Sequence, residues 1–206
     1  MGRKDVTDMP SLLSRLYLMR HGEAAWSLSG QHTGRTDVPL TEQGEQDARK
    51  LAERLGAVRF SRVFTSPLQR ARRTCELAGL GDVAEMEPDL AEWNYGDYEA
   101  QRPVDIRKAR PDWNVFRDGY PGGGSPAQVS ERADRVIARL RTLEGNIAIF
   151  SHGHFGRVLA ARWIGLELRQ AQHLLLSTAS VSILGYEHNL AEVPAIVLWN
   201  ATSKES

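Results

Sequence analysis

Residues 16–23 constrain this chain most, because four mostly apolar residues are followed at once by Arg20, His21 and a glycine. A short apolar run that ends in charge and glycine predicts a buried strand. In open α/β sheets, ligands bind at the carboxyl ends of the strands. Arginine offers a fork of N–H donors suited to phosphate, and histidine offers a nucleophile or a general base. For this pair alone a solvated sheet edge is the simpler interpretation, so the remaining motifs must decide.

Length and charge limit the class of protein. The 206 residues suit one domain with a substantial core, and the 26 basic and 26 acidic residues balance. We therefore expect no nucleic-acid partner and no membrane partner, and a homo-oligomer is compatible with these counts. The single cysteine, Cys75, lies on an apolar helical stripe and predicts core packing. Residues 1–10 lack an apolar targeting segment, which predicts a cytoplasmic protein.

Domain organisation is predicted to be simple. Residues 1–13 show neither periodicity nor turn signals and are expected to form a flexible arm, which leaves residues 14–206 as a single domain. Residues 24–39 are rich in Ser, Gly and Thr and predict a long loop that lines a pocket, with Ser27, His32 and Thr33 within it.

Two further junctions resemble the first. Residues 62–67 predict a strand, and residues 68–78 predict a helix that Pro67 begins. Arg70 lies in the first turn of that helix, where free backbone amides favour anions. Residues 146–151 predict another apolar strand, which ends at His152, with helical spacing from Arg157 onward. The alternation of strands and helices predicts an α/β protein with a mostly parallel sheet. Its strand ends would gather Arg20, His21, Arg70 and His152.

The other elements are predicted from local signals. A helix is expected after Thr41 and is closed by Gly56 at its C-terminal cap. Pro103 is expected to begin a short helix that ends before Pro111. Ser125 to Gln128 match a capping box, and residues 181–186 and 195–199 predict an edge hairpin.

The chemistry predicted for this site is phosphoryl transfer. It requires a nucleophile, neutralisation of the phosphoryl oxygens and a proton for the leaving oxygen. His21 would attack phosphorus, Arg20, Arg70 and His152 would supply positive charge, and Glu92 would protonate the leaving alkoxide. We expect neither metal nor cofactor, because arginines and histidines would perform the electrostatic task of a cation. Taken alone, Glu92 is more simply explained as a carboxylate on a surface loop.

Four motifs, taken together, resemble the histidine phosphatase superfamily, also called phosphoglycerate mutase-like. They occur in family order within residues 16–199: Leu-Met-Arg-His-Gly-Glu, Thr-Ser-Pro-Leu-Gln-Arg-Ala, Ala-Glu-Trp-Asn-Tyr-Gly and Phe-Ser-His-Gly-His. The segments around Trp26 and Tyr98 are similar to the branch that contains fungal sedoheptulose-1,7-bisphosphatase. The resemblance implies a three-layer α/β/α fold.

That resemblance implies roles for individual residues. His21 would form a phosphohistidine, Glu92 would be the proton donor, and Arg20, Arg70 and His152 would bind the phosphoryl group. It also implies substrate contacts at Ser27, His32, Thr33, Tyr95 and Arg157. The expected activity is that of a metal-independent phosphatase of the histidine acid phosphatase type, which acts on a small phosphorylated metabolite such as a sugar phosphate or bisphosphate and releases inorganic phosphate.

Three alternatives stay open on the sequence. A cofactor-dependent phosphoglycerate mutase would use the same pocket, although this compact chain has little length for the insertions that the resemblance associates with mutases. An inactive binding module would lose His21 or Glu92, and the chain has both. A zinc hydrolase could use His152, His154, His21 and His32, but no acidic residue directly follows the His-x-His pair.

Overall fold

The computed structural model describes residues 13–202, so the predicted arm at residues 1–13 lies almost wholly outside the described residues. Within them, one sheet of six strands has the order β3-β2-β4-β1-β5-β6. The strands are β1 (Arg15–Arg20), β2 (Arg62–Thr65), β3 (Ala84–Met86), β4 (Asn146–Ser151), β5 (Val181–Tyr186) and β6 (Pro194–Ala201).

The sheet is parallel where the site is expected. β4 pairs in parallel with β1, where Leu18 faces Ile149, and in parallel with β2, where Val63 faces Ala148. β2 also pairs in parallel with β3, whereas β5 and β6 are antiparallel and form the predicted edge hairpin. The carboxyl ends of β1, β2 and β4 therefore meet at one edge of the sheet.

Helices cover both faces of the sheet. They are α1 (Ala25–Ser29), α2 (Glu42–Leu55), α3 (Gln69–Leu77), α4 (Pro103–Ala109), α5 (Val115–Asp118), α6 (Pro126–Leu140) and α7 (Gly153–Trp163). Side chains of a strand alternate between faces, so Leu18 joins the core beneath α6 and α7 while Met19 joins the core with Leu51 of α2 and Cys75 of α3. The predicted three-layer α/β/α fold and the buried cysteine are confirmed.

Several local predictions are confirmed by backbone contacts. The Ser125 hydroxyl accepts from the amide of Gln128, and the Gln128 side chain accepts from the amide of Ser125, so the capping box opens α6 as expected. The helix that follows Thr41 ends at Leu55, and the Thr41 hydroxyl caps its first turn by accepting from the amide of Gly44.

Three expectations at helix ends and loops are wrong. Residues 24–39 are not all loop, because Ala25–Ser29 form α1, whose end is closed by left-handed Gly30. Pro67 does not begin α3; the helix starts at Gln69, whose amide donates to the carboxylate of Asp37. Gly56, by contrast, is the C-cap of α2 as expected, in a right-handed conformation. α7 begins at Gly153, four residues before Arg157, because residue 152 already occupies the cap position.

No helix in the described part of the chain combines the length and the apolar character needed to cross a membrane.

Candidate active site

The carboxyl ends of β1 and β4 border a cavity of about 200 Å³. Eight of the ten side chains predicted for the site line it: Arg20, His21, Ser27, His32, Thr33, Glu92, Tyr95 and Arg157. The other two, Arg70 and His152, are fully buried and do not form its surface. The structure thus gathers all ten residues in one region, eight at the surface of the cavity and two in the protein interior.

His21 follows the last residue of β1 and is almost completely buried. Its Nδ1 lies 2.7 Å from the carbonyl oxygen of Gly22. A carbonyl only accepts, so Nδ1 carries the hydrogen and Nε2 keeps its lone pair. Burial, followed by the positive charges of Arg70 and Arg20, lowers the pKa of His21 well below 6.5. The ring is therefore neutral near pH 7 and presents a nucleophilic nitrogen.

Two guanidinium groups lie beside His21, that of Arg20 half-buried and that of Arg70 fully buried. Arg20 donates through Nη1 to the carbonyl of Leu176, and Arg70 donates through Nη1 and Nη2 to the carbonyls of Thr33, Gly34 and Thr36. Burial lowers the pKa of both groups from its ordinary value, and the Glu92 carboxylate opposes this effect. Neither Nε atom has a hydrogen-bond partner among the described residues. Buried polar atoms are normally satisfied, so these two donors indicate an anion site.

His152 caps the amino terminus of α7, and its ring centroid lies 5.2 Å from that of His21. Nε2 lies 2.7 Å from the hydroxyl of Ser66, whereas the buried Nδ1 has no partner among the described residues. Burial and the charge of Arg70 lower the pKa of His152 well below 6.5. Like Arg20 Nε and Arg70 Nε, His152 Nδ1 is a buried polar atom without a partner among the described residues.

Glu92 lies on the loop before Trp93 and lines the same cavity as His21. Its Oε1 accepts from the amides of Trp93 and Phe155 at 2.8 and 2.9 Å, and its Oε2 accepts from the amide of His154 at 3.0 Å. The last two amides belong to the first turn of α7, where free N–H groups are available. Glu92 is therefore a buried carboxylate held by backbone rather than the surface carboxylate that its local sequence suggests.

The outer wall of the cavity is aromatic and basic. The Tyr95 hydroxyl lies 2.6 Å from Nδ1 of His154, and burial raises the pKa of Tyr95 well above 10. Arg157 donates to the carbonyls of Ala171 and Gln172 and stacks on Phe116. The positions of these side chains are therefore fixed by the protein.

The remaining predicted contacts are small polar groups of the loop. The Ser27 hydroxyl donates to the carbonyl of Ala24 and accepts from its amide, so it is engaged within α1. The Thr33 hydroxyl donates to the carbonyl of Gln31. Both residues line the cavity, and both side chains have partners within their own loop.

Two of the four histidines considered for zinc have one ring nitrogen engaged by a neighbouring side chain. His154 Nδ1 is paired with Tyr95, and His152 Nε2 is paired with Ser66. Within residues 13–202, no group of three or more His, Cys, Asp or Glu side chains has an arrangement that could hold a metal ion.

Sequence reasoning missed some supports of the site. A Cβ on Gly153 would lie 3.2 Å from Cζ of Arg20, so this glycine permits close approach of the guanidinium. Its position between two histidines at a strand end was a usable signal. The carbonyl of Leu176, which binds Arg20, and the hydroxyl of Thr74, which accepts from the amide of Gly22, gave no such signal.

Comparison with known proteins agrees with this geometry. Residues 16–202 match the sequence profile of the histidine phosphatase superfamily (branch 1). The acid phosphatase of Mycobacterium tuberculosis is 42% identical over 188 residues, which cover 89% of this chain and 92% of that protein. The sedoheptulose 1,7-bisphosphatase of Saccharomyces cerevisiae is 33% identical, with 92% of this chain and 94% of that protein covered. A solved structure of an open reading frame product from Mycobacterium tuberculosis aligns with a TM-score of 0.86 and 40% identity, over 92% of this chain and 98% of the other.

Proposed function

Because the chain belongs to the histidine phosphatase superfamily (branch 1), we propose that it is a phosphomonoester hydrolase that works through a phosphohistidine intermediate. Both curated relatives described above are named as phosphatases.

One observation carries the proposal. Arg20 Nε, Arg70 Nε and His152 Nδ1 are buried and have no hydrogen-bond partner within residues 13–202, and they belong to residues close to His21. The phosphoryl group carries three non-bridging oxygens, which become equatorial during transfer and can accept from such donors, and its charge would offset that of the two guanidinium groups. His21 Nε2, whose lone pair is free, would then be the attacking atom.

The proposed reaction has two steps. In the first, His21 Nε2 bonds to phosphorus, the phosphorus–oxygen ester bond breaks, and protonated Glu92 gives its proton to the leaving alkoxide. In the second, Glu92 takes a proton from water, which attacks phosphorus and releases His21 and inorganic phosphate. Arg20, Arg70 and His152 stabilise charge on the transferring group throughout.

The substrate is proposed to be a small phosphorylated metabolite, with a sugar phosphate or bisphosphate favoured. The name of the yeast relative and the small, partly basic cavity support this choice. Activity without metal or cofactor, the cytoplasmic location and the single domain over residues 14–206 stay predictions.

A phosphoglycerate mutase is the second candidate, since it would use the same phosphohistidine. Incubation with labelled sugar phosphates and unlabelled phosphoglycerates measures how the phosphoryl group partitions. Label released as inorganic phosphate supports the phosphatase, whereas label that accumulates on phosphoglycerate contradicts it and supports the mutase.

A further inference from the structure

One face of α6 carries three arginines that contact residues 87–92, the segment that ends at the proposed acid. The arginines are three and four positions apart, so they form a row along the helix. The contacts are those of Arg139 with the Glu87 carboxylate, Arg135 with the Asp89 carboxylate, and Arg132 with the carbonyls of Ala91 and Glu92. The row therefore runs alongside this segment as far as Glu92.

The contact of Arg132 differs from the other two because it holds backbone. Arg135 and Arg139 pair with carboxylates, and their side chains are more than half exposed, so these ion pairs contribute little to stability. The half-buried Arg132 donates through Nη1 to the carbonyl of Ala91 at 2.6 Å and through Nη2 to that of Glu92 at 3.4 Å. A planar guanidinium that binds two successive carbonyls restricts the orientation of both peptide units.

Arg132 also contacts the residue that supports the Glu92 carboxylate from α7. Its Cζ lies 4.2 Å from the centroid of the Phe155 ring, and the amide of Phe155 donates to Oε1 of Glu92. Burial lowers the pKa of Arg132 from its ordinary value and the Glu92 carboxylate opposes this effect, but an arginine stays charged in a protein. Arg132 thus joins the loop that carries Glu92 to the residue whose amide binds its carboxylate.

The loop at Glu92 borders open space on the side of α6. A second cavity, of about 500 Å³, lies there, and its walls include Ala91, Glu92, Trp93 and Arg132. Close packing normally keeps a backbone in place, and atoms that face a void lack those contacts. The hydrogen bonds of Arg132 therefore restrain residues 91 and 92 where packing does not.

We infer that Arg132 is a positioning residue for Glu92, which it keeps within reach of the leaving oxygen by holding the backbone of residues 91 and 92. This inference rests on the proposed function, because Arg132 would act through the proposed acid. Arg132 does not line the cavity that contains His21, so it would not bind the phosphoryl group itself. Displacement of a catalytic group by about 1 Å costs up to about 100-fold in rate.

Arg132→Met tests the inference, because methionine fills part of the same space and has no donor. We expect kcat/KM for propyl phosphate to fall at least about tenfold and that for p-nitrophenyl phosphate to change less than about twofold, since only the alkoxide needs the proton. Arg132→Lys keeps the charge and can donate to one carbonyl, so it should recover part of the loss. Arg135→Met, the same change three residues further along α6, breaks the pair with Asp89 and should keep the wild-type alkyl-to-aryl ratio.

The double variant Glu92→Gln with Arg132→Met separates positioning from a merely structural role. If Arg132 acts through Glu92, the second substitution should cost no further activity on propyl phosphate once the proton donor is gone. A repeated tenfold loss in the Glu92→Gln background, or equal losses on both esters in Arg132→Met alone, would show that Arg132 supports the fold instead. An unchanged alkyl-to-aryl ratio in Arg132→Met would also overturn the inference.

Two further outcomes are separated by the same assays. If circular dichroism shows that Arg132→Met is unfolded at the assay temperature, Arg132→Lys carries the test, with a loss of about threefold expected on propyl phosphate alone, as for one hydrogen bond. The inference fails alone if Glu92→Gln is selective for the alkyl ester and the Arg132 variants are not. If Glu92→Gln slowed both esters equally, or the wild type hydrolysed neither, the proposed function would fail as well.

Discussion

Glu92→Gln tests the acid role most sharply, because the substitution changes one atom of a buried carboxylate. Glutamine cannot supply the proton that an alkoxide needs. General acid catalysis contributes about 10²- to 10⁴-fold, so kcat/KM for an alkyl phosphate should fall by that factor. A nitrophenolate leaves without a proton, so kcat/KM for p-nitrophenyl phosphate should fall much less. We use kcat/KM because it reports the steps up to and including the first irreversible one, which is phosphorylation of His21.

The same substitution has a structural effect that can be worked from the contacts. Oε1 of Glu92 accepts from two backbone amides and Oε2 from one. Either orientation of a glutamine amide places its NH₂ against at least one backbone N–H. Loss of one charge-assisted hydrogen bond costs about 1.5–3 kcal/mol, which lowers Tm by roughly 3–12 °C for a chain of this size. Kinetics must therefore be measured well below the lowered Tm.

Glu99→Gln is the matched control. The Glu99 carboxylate also accepts from two backbone amides, those of Gly34 and Thr36, near the same cavity wall. We expect this variant to lose activity equally on alkyl and aryl esters. If Glu92→Gln also slowed both esters by the same factor, Glu92 would be a binding or structural group and the acid assignment would be refuted.

Three further predictions concern removal of metal ions, the pH dependence of stability, and the binding of phosphate by Arg70. Activity should survive dialysis against EDTA, and a complete loss that zinc or magnesium restores would contradict a metal-free site. His21, His32, His152 and His154 all have pKa values below 6.5 in the fold, so the unfolded chain takes up more protons as the pH falls below 6.5. The free energy of unfolding, measured in urea, should therefore fall as the pH is lowered from 6.5 to 5. The expected fall is about 1.4 kcal/mol per pH unit for each histidine that stays neutral in the fold. An unfolding free energy that does not change with pH would contradict buried neutral rings. Arg70→Lys keeps the positive charge but lacks the guanidinium fork that donates to three backbone carbonyls. The inhibition constant of inorganic phosphate as a competitive inhibitor should therefore rise at least tenfold. An unchanged inhibition constant would show that Arg70 does not bind the anion.

The fold was largely predictable because its signals are local. β1 and β4 are short apolar runs, and their register places Arg20 beside Ser151 at the sheet edge. The capping box at Ser125 fixes the start of α6 through two short-range hydrogen bonds. Errors arose where a long-range partner decides the boundary. The carboxylate of Asp37, in a loop distant in sequence, accepts from the first amide of α3. No sequence pattern near Pro67 predicts this contact.

The sequence predicts which side chains come together at the candidate site, but it does not predict the backbone groups that bind them. His21 and His152 follow strands, so their convergence follows from a parallel sheet. Nothing in the sequence shows that Glu92 meets the amides of α7, since the contact joins residues 62 and 63 positions apart. The role of the Leu176 carbonyl at Arg20 depends on an irregular segment, for which periodicity offers no guide.

Rapid-quench trapping measures directly whether His21 becomes phosphorylated. Wild-type enzyme is mixed with ³²P-labelled substrate and quenched in alkali, where a phosphohistidine survives, and then exposed to acid, where it hydrolyses. The account predicts base-stable, acid-labile label on the wild type and none on His21→Ala. His152→Ala should still take up label, but more slowly, because its ring stabilises charge without bonding to phosphorus. A wild type that turns over without ever carrying label, together with a His21→Ala variant that retains most of its turnover, would contradict the account.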